Sequence, residues 1–298
     1  MLKEGQRIRL FKNIIRFGAK AHPGKWAVSG SDIVVLVKPT PDITKVRFDV
    51  KTGRVDRESV ELEINPFDLY ALELAVRLRE SLGGRIVALA MAPPHAEKAL
   101  RDAIARGADR AILLSDPKFA GADTLATSYT LASAIRKLGS FRLILCGEKS
   151  VDGDTGQVGP EVAEHLGIPH AAFVHGVVDF DDESITVEAD FGVSYYSVRL
   201  KYPALLSVSR PLSFKGERLE PRIPKLSDYM RARKATVEVW QALDLHEIDP
   251  SRIGWAGSPT RVVKVFYALE RGKNPVVFKS VDDAVEAIIE LLKRKNLL

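Results

Sequence analysis

The sequence predicts an α/β fold: a mostly parallel sheet of the doubly wound type with helices on both faces, an antiparallel β addition and extended terminal segments. Three observations predict it. Short apolar runs alternate with helical stretches from residue 33 to residue 167, the rhythm of strand–helix–strand crossovers. The first run, Ile33-Val34-Val35-Leu36-Val37, is apolar at every position, as a strand buried on both faces must be. Beyond Pro169 the helical stretches give way to β-like runs with acidic turn residues, which suits hairpins.

The elements follow in order. After the Ile33 run, Asn65 stands where a helix cap belongs, Pro66 at the first helical position and Gly83 at the stop. Leu69, Leu72, Ala75, Val76 and Leu82 lie between them at roughly helical spacing. Ile86 to Met91 reads as the second strand, with a helix through Leu100 to Arg106 after it, and Ala111 to Leu114 as the third. Thr124 to Leu138 is a helix closed by Gly139, and Leu143 to Cys146 the fourth strand. A helix starts near Val158 and ends at Gly167. Ala172–Val178, Ile185–Ala189 and Tyr195–Leu200 form the antiparallel addition, with Asp179, Asp181 and Asp182 in the first turn. Residues 211–234, rich in Pro, Lys and Arg and weakly periodic, read as an exposed excursion. Ser280 and Asp283 have capping-box spacing ahead of a greasy terminal helix carrying Val285, Ile288, Ile289, Leu291 and Leu292. Such a face wants a partner surface.

The chain has 298 residues, 46% of them hydrophobic and 28% charged, ordinary for a globular protein. No apolar run approaches the ~20 residues of a membrane span. A single cysteine, Cys146, excludes internal disulfides, a four-thiolate zinc site and an iron–sulfur cluster held by this chain alone. Sitting at a strand end, it reads as a small buried hydrophobe. The net charge of +5 lies entirely in residues 1–32, so the body is neutral, unlike that of a nucleic-acid binder. In this leader Leu10, Ile14 and Phe17 share a face at helical spacing, with Arg9, Lys12, Arg16 and Lys20 on another. A docking helix for a partner or an anionic membrane surface, and an arm packed on its own body, both fit.

Motifs narrow the chemistry. No G-x-G-x-x-G follows the first strand, and the phosphate loop G-x-x-x-x-G-K-[ST], G-x-S-x-G and H-E-x-x-H are absent. His165, His170 and His175 are spaced by five, which suits no metal. No residue is a candidate for acid–base or nucleophilic catalysis. The informative stretch follows the fourth strand: Gly147-Glu148-Lys149-Ser150-Val151-Asp152-Gly153-Asp154-Thr155-Gly156-Gln157-Val158-Gly159-Pro160. It leaves the carboxyl end of a parallel strand, where open α/β sheets bind ligands, and leads into a helix start, which attracts phosphate. Thr155, Gln157 and Lys149 are further donors; a polar loop with Asp152 and Asp154 making turns is the plainer alternative. A second stretch, Gly121-Ala122-Asp123-Thr124-Leu125-Ala126-Thr127-Ser128, leads into a helix after the third strand. Its hydroxyls suit a phosphate or simple capping.

Taken together these stretches resemble the β subunit of an electron transfer flavoprotein. The resemblance runs from Ile33 to about Phe266 and is carried by Val37-Lys38-Pro39-Thr40-Pro41-Asp42, Asn65-Pro66-Phe67-Asp68, the Asp123–Ser128 stretch and the Gly147–Pro160 loop. It continues in Ser251-Arg252-Ile253-Gly254 and Ala256-Gly257-Ser258-Pro259-Thr260-Arg261-Val262-Val263-Lys264. It implies an adenine-nucleotide-binding α/β domain at residues 33–210, paired with a flavin-carrying α subunit. It also implies a cytoplasmic protein, a partner-recognition region at 211–234 and a C-terminal arm at 235–298. Ordinary members hold AMP in the β site. Flavin-bifurcating members hold FAD there, which takes a hydride from NADH. One electron then goes to ferredoxin or flavodoxin and the other, through the α-subunit flavin, to a high-potential acceptor.

Asp152-Gly153-Asp154-Thr155 and Gln157-Val158-Gly159-Pro160 are similar to the bifurcating loop, and Gly156-Gln157-Val158 stands where ordinary members resemble Asn-Gln-Thr. The resemblance therefore implies FAD rather than AMP. It carries a ligand-binding role to Lys38, Pro39, Asn65, Asp68, Ala90, Met91, Asp123, Thr124, Thr127, Ser128, Gly147 and the loop residues Asp152 to Thr155 and Gln157 to Pro160. Glu220 to Met230 resembles the family's recognition loop, with Leu226 as the inserted leucine and Arg231 steering an acidic partner. A dehydrogenase or a quinone oxidoreductase is the implied partner. Residues 1–32 depart from the family pattern and, through a larger assembly, suit a membrane surface. A stand-alone adenine-nucleotide-binding regulatory module is the rival class; it would need no partner.

Overall fold

The computed structural model describes residues 14–16, 32–41, 48–49, 54–55, 61–260 and 276–298. The chain divides into two units, Met1–Thr260 and Arg261–Leu298. In chain order the first holds β1 (Ile14–Arg16), β2 (Ile33–Leu36), β3 (Pro39–Pro41), β4 (Phe48–Asp49), β5 (Arg54–Val55), β6 (Leu62–Ile64), α1 (Pro66–Leu82), β7 (Ile86–Met91), α2 (Glu97–Ala105) and β8 (Arg110–Leu114). Then come α3 (Thr124–Leu138), β9 (Leu143–Gly147), α4 (Val158–Leu166), β10 (His170–Phe180), β11 (Ser184–Asp190), β12 (Tyr195–Lys201), β13 (Ala204–Phe214), β14 (Glu217–Leu219), α5 (Leu226–Lys234) and β15 (Val237–Trp240).

One sheet runs β1-β12-β11-β10-β13-β9-β2-β7-β8-β15, with β14 on β13. From β10 to β15 every neighbour is parallel, while β10, β11 and β12 pair antiparallel. The expected fold class is therefore the observed one. Period-two geometry explains the uniformly apolar strands. Ile33 and Val35 of β2, with Ile86, Ala88 and Ala90 of β7, enter a core under α1 and α2. Val34 and Leu36, with Val87 and Leu89, enter a second core under α3 and α4.

Three expectations are corrected, and two strands are added to the predicted elements. The leader's helical reading fails where the leader is described, because Ile14–Arg16 is a strand parallel to β12; an edge strand offers backbone partners that outweigh a helical spacing of side chains. The rest of residues 1–31 lies outside the described residues, as do Asp42 and Arg261 to Phe266. The excursion at 211–234 is more ordered than its periodicity predicts: β13 continues to Phe214, β14 hairpins back, and α5 carries Leu226. Strands β13 and β15 are not among the elements the local pattern predicts. Yet β13 lies between β9 and β10, and its Ala204-Leu205-Leu206 start is fully buried. Finally, Asn65 stands at the cap position of α1 but makes no side-chain cap bond.

The second unit contains α6 (Val281–Arg294), capped by Ser280, whose hydroxyl accepts from the Asp283 amide at 3.1 Å. Val281, Val285, Ile288, Ile289 and Leu291 are exposed on it. No helix among the described residues is long and apolar enough to cross a membrane.

Candidate functional site

Strands β2 and β9 are neighbours, but the helices that follow them lie on opposite faces: α1 with the first core, α4 with the second. The chain thus leaves the two strand ends in opposite directions; this is the topological switch point, where doubly wound sheets form their ligand crevice. Lys38 and Pro39 leave β2 here, Gly147 ends β9, and Ala90 and Met91 end β7 beside β2.

The floor of the crevice is tied by Asp68. Its Oδ2 accepts from the Lys38 amide at 2.7 Å and its Oδ1 from the Gly147 amide at 2.9 Å. Burial pushes this carboxyl up to about 7, against the pull of those amides, Asn65 and the Lys38 ammonium. Gly147 must be glycine, since a Cβ there would lie 2.4 Å from Asp68 Oδ1 and 2.5 Å from Phe67 Cβ. Asn65, freed from capping, spends its side chain on the loop after β9: Nδ2 donates to the Lys149 carbonyl at 2.9 Å and Oδ1 accepts from the Val151 amide at 3.2 Å.

That loop carries its own counter-ions. Lys38 Nζ reaches across the crevice to Asp152 Oδ1 at 2.7 Å and Ser150 Oγ at 3.0 Å, and Lys149 pairs with Asp154 at 2.8 Å. Desolvation raises the Asp152 carboxyl, but Lys38 and Ser150 outweigh it and hold the group below the usual range. Asp152 and Asp154 are thus cross-links to lysines as well as turn residues. Thr155 and Gly156 follow, with Asp154 and Gly156 both left-handed at φ 52 and 66.

The loop delivers the chain to α4, whose cap residue Gln157 makes no side-chain cap bond. The amides of Val158 and Gly159 therefore have no capping side chain, and Pro160 has no amide to satisfy. Gly159 allows this start to sit down on the sheet, where a Cβ would meet Cys146 Sγ at 2.7 Å. Cys146 itself is buried, with its thiol pushed by burial up to about 12, the inert hydrophobe its position predicts.

The start of α3 is different. Asp123 caps it, accepting from the Ala126 amide at 3.1 Å. Its other oxygen accepts from the Thr260 amide at 3.1 Å and hydroxyl at 2.8 Å, and the Asp123 amide donates to Ser258 Oγ at 2.9 Å. Ser128 is fully buried and donates to the Leu125 carbonyl at 2.9 Å. Thr124 Oγ1 lies 3.1 Å from Gln157 Oε1 and 3.3 Å from Glu161 Oε1, joining the two helix starts, and Thr127 is half-buried in the same turn. Ser258 and Thr260 escaped a local reading because they lie 135 and 137 residues from the aspartate they serve. On α5, Leu226 is 78% exposed and Arg231 sits 3.4 Å from Asp228.

A mostly parallel sheet wound on both faces, with its switch point between β2 and β9, defines a doubly wound α/β protein. The electron transfer flavoprotein domain matches residues 52–245. The chain is 38% identical to the electron transfer flavoprotein subunit beta of Clostridium acetobutylicum over 267 residues, covering 90% of this chain and all of that one. It is 39% identical to Protein FixA of Bradyrhizobium diazoefficiens, covering 87% and 90% of the two chains. It is 33% identical to subunit CarD of the caffeyl-CoA reductase-Etf complex of Acetobacterium woodii, covering 89% and 99%. The chain belongs to the electron transfer flavoprotein β-subunit family.

Proposed function

We propose that the crevice between β2 and β9 holds FAD, and that this chain, paired with a flavin-carrying α subunit, takes a hydride from NADH and divides its two electrons. One goes to ferredoxin or flavodoxin and one, through the α subunit, to a high-potential acceptor. The observation that carries the reading is the uncapped start of α4. Its Val158 and Gly159 amides lack a capping side chain, and the helix follows a loop stocked with Lys149 and Thr155. Anion binding at a helix start contributes about 0.3–1 kcal/mol from the dipole and up to ~2 when partly buried, so the lysines and hydroxyls must add to it.

The residues present fit such a group. Glycine at 156 and valine at 158 leave backbone amides, rather than side-chain donors, for a bridging diphosphate. Lys38 and Lys149 supply cationic charge once the ligand competes with Asp152 and Asp154 for them. Flavin, when bound, supplies the hydride acceptance and single-electron transfer, while the protein contributes position and electrostatics. The exposed Phe191, Val193 and Tyr195 of the antiparallel addition, and the apolar residues of α6, suit a chain that works as one subunit of an assembly rather than as a stand-alone module. Leu226 and Arg231 suit docking of an acyl-CoA reductase, a dehydrogenase or a quinone oxidoreductase; the Acetobacterium woodii relative is itself named for such a reductase complex.

The test is nucleotide content. Denaturing the purified complex with its α subunit and counting released nucleotides is expected to give two FAD and no AMP. One FAD with one AMP would overturn the bifurcating reading and leave this chain a scaffold with a structural nucleotide.

A further inference from the structure

Asp68 is an ionisable carboxyl, only 4% exposed, and bonded to backbone rather than to another side chain's charge. The ladder between β2 and β9 runs from Ile33↔Leu143 to Val35↔Leu145 and ends there. Past that point the Asp68 carboxylate joins the two strands, one oxygen to Lys38 N and the other to Gly147 N. Both oxygens are used as acceptors. A proton added to either turns an acceptor into a donor facing an N–H, so one of the two ties weakens.

The groups around it leave Asp68 as the one to titrate. From β2 it faces the Lys38 ammonium, which Asp152 neutralises from the loop beyond. From β9 it faces Cys146, whose thiol stays protonated throughout the neutral range. Asn65 approaches from its own helix. Arg210 of β13 and Lys149 sit over the Phe67 ring at 4.7 and 6.0 Å. Burial brings the ionisation of Asp68 to about neutral pH.

We propose that Asp68 is a positioning residue for the nucleotide: as a carboxylate it holds the ends of β2 and β9 at the spacing the ligand takes, and on protonation it slackens the crevice and weakens the hold. This rests on the nucleotide reading of the crevice given above. A ligand that requires the ionised form loses affinity about ten-fold between pH 8 and pH 6 when the group titrates near 7.

The experiment is titration of the full chain with FAD, whose diphosphate keeps the same double negative charge across this range, from about pH 6 to about pH 9. The wild-type dissociation constant is expected to rise about ten-fold on acidification. Asp68→Asn, checked for native circular dichroism, is expected to bind more than ten-fold more weakly at pH 8 and with a flat profile. A flat wild-type profile, tighter binding in acid, or a slope that survives in Asp68→Asn would overturn the role of Asp68 while leaving the nucleotide reading standing. If the variant does not fold, the wild-type profile alone decides. A chain that binds neither FAD nor AMP at pH 8 would overturn the nucleotide reading and this proposal with it. If only AMP binds, the same profile is taken with AMP, and the ligand's own phosphate ionisation is removed by comparison with Asp68→Asn.

Discussion

The starts of α3 and α4 have the same local grammar and opposite fates. Each follows a parallel strand and a small-residue loop, and each opens with hydroxyl or amide side chains. At α3 the cap is Asp123, whose carboxylate saturates the first turn and also grips Thr260. At α4 the cap position holds Gln157, whose Oε1 accepts instead from Thr124 Oγ1 at 3.1 Å, and the cap bond is missing. A carboxylate one atom group shorter closes a helix start; an amide one methylene longer leaves it open. The lesson is that what fails to cap a helix N-terminus leaves its first amides open to other partners. Desolvation pushes Asp123 up, but the Ala126 amide and Thr260 hold it below the ordinary carboxylate range, so it keeps its charge and stays closed to anions at neutral pH.

That contrast can be broken at several points. The largest effect is expected at the shared floor. Gly147→Ala drives a methyl against Asp68 and Phe67, which should cost about 1–3 kcal/mol or more as overpacking and empty the crevice, seen as a lower melting temperature together with lost nucleotide. Next is Asp123→Ala. It removes the α3 cap and the Thr260 tie and should cost about 0.5–2 kcal/mol by urea denaturation, with nucleotide content retained on the proposal that the anion site is at α4. Retention by Asp123→Ala with loss in a Val158→Pro variant would sharpen the assignment; the reverse would move the site to α3. The smallest effect is expected from Asp152→Asn. The Lys38–Asp152 pair is partly exposed and such pairs are worth about 0.2–1 kcal/mol. Freeing Lys38 for the ligand should tighten nucleotide binding by a few-fold at low salt, and the gain should fade as salt rises. Weaker binding would mean that Asp152 itself contacts the ligand.

Much of this was legible from the residues. Helix stops at Gly83 and Gly139, Pro66 at a first helical position and the apolar runs of β2, β7, β8 and β9 carry their signals locally, and the structure bears them out. The loop from Gly147 to Pro160 could be picked out by composition alone. What stayed hidden depends on long-range partners. Asn65 looks like a cap, yet Lys149 and Val151, 84 and 86 residues away, take its side chain. Nothing near Asp68 in the sequence says that it would bridge two strand ends. β13 was missed because its apolar start is followed by polar positions and a proline, and its place in the sheet is decided by β9 and β10 rather than by its own pattern.

The most direct measurement is the nucleotide affinity of Gln157→Asp set beside the wild type. The shorter carboxylate should cap α4 as Asp123 caps α3, occupying the first-turn amides and placing a negative charge at the proposed diphosphate site. Binding of FAD is expected to weaken by at least ten-fold while the fold remains intact by circular dichroism. Unchanged affinity in a folded Gln157→Asp chain would contradict the claim that the uncapped start of α4 is the phosphate site.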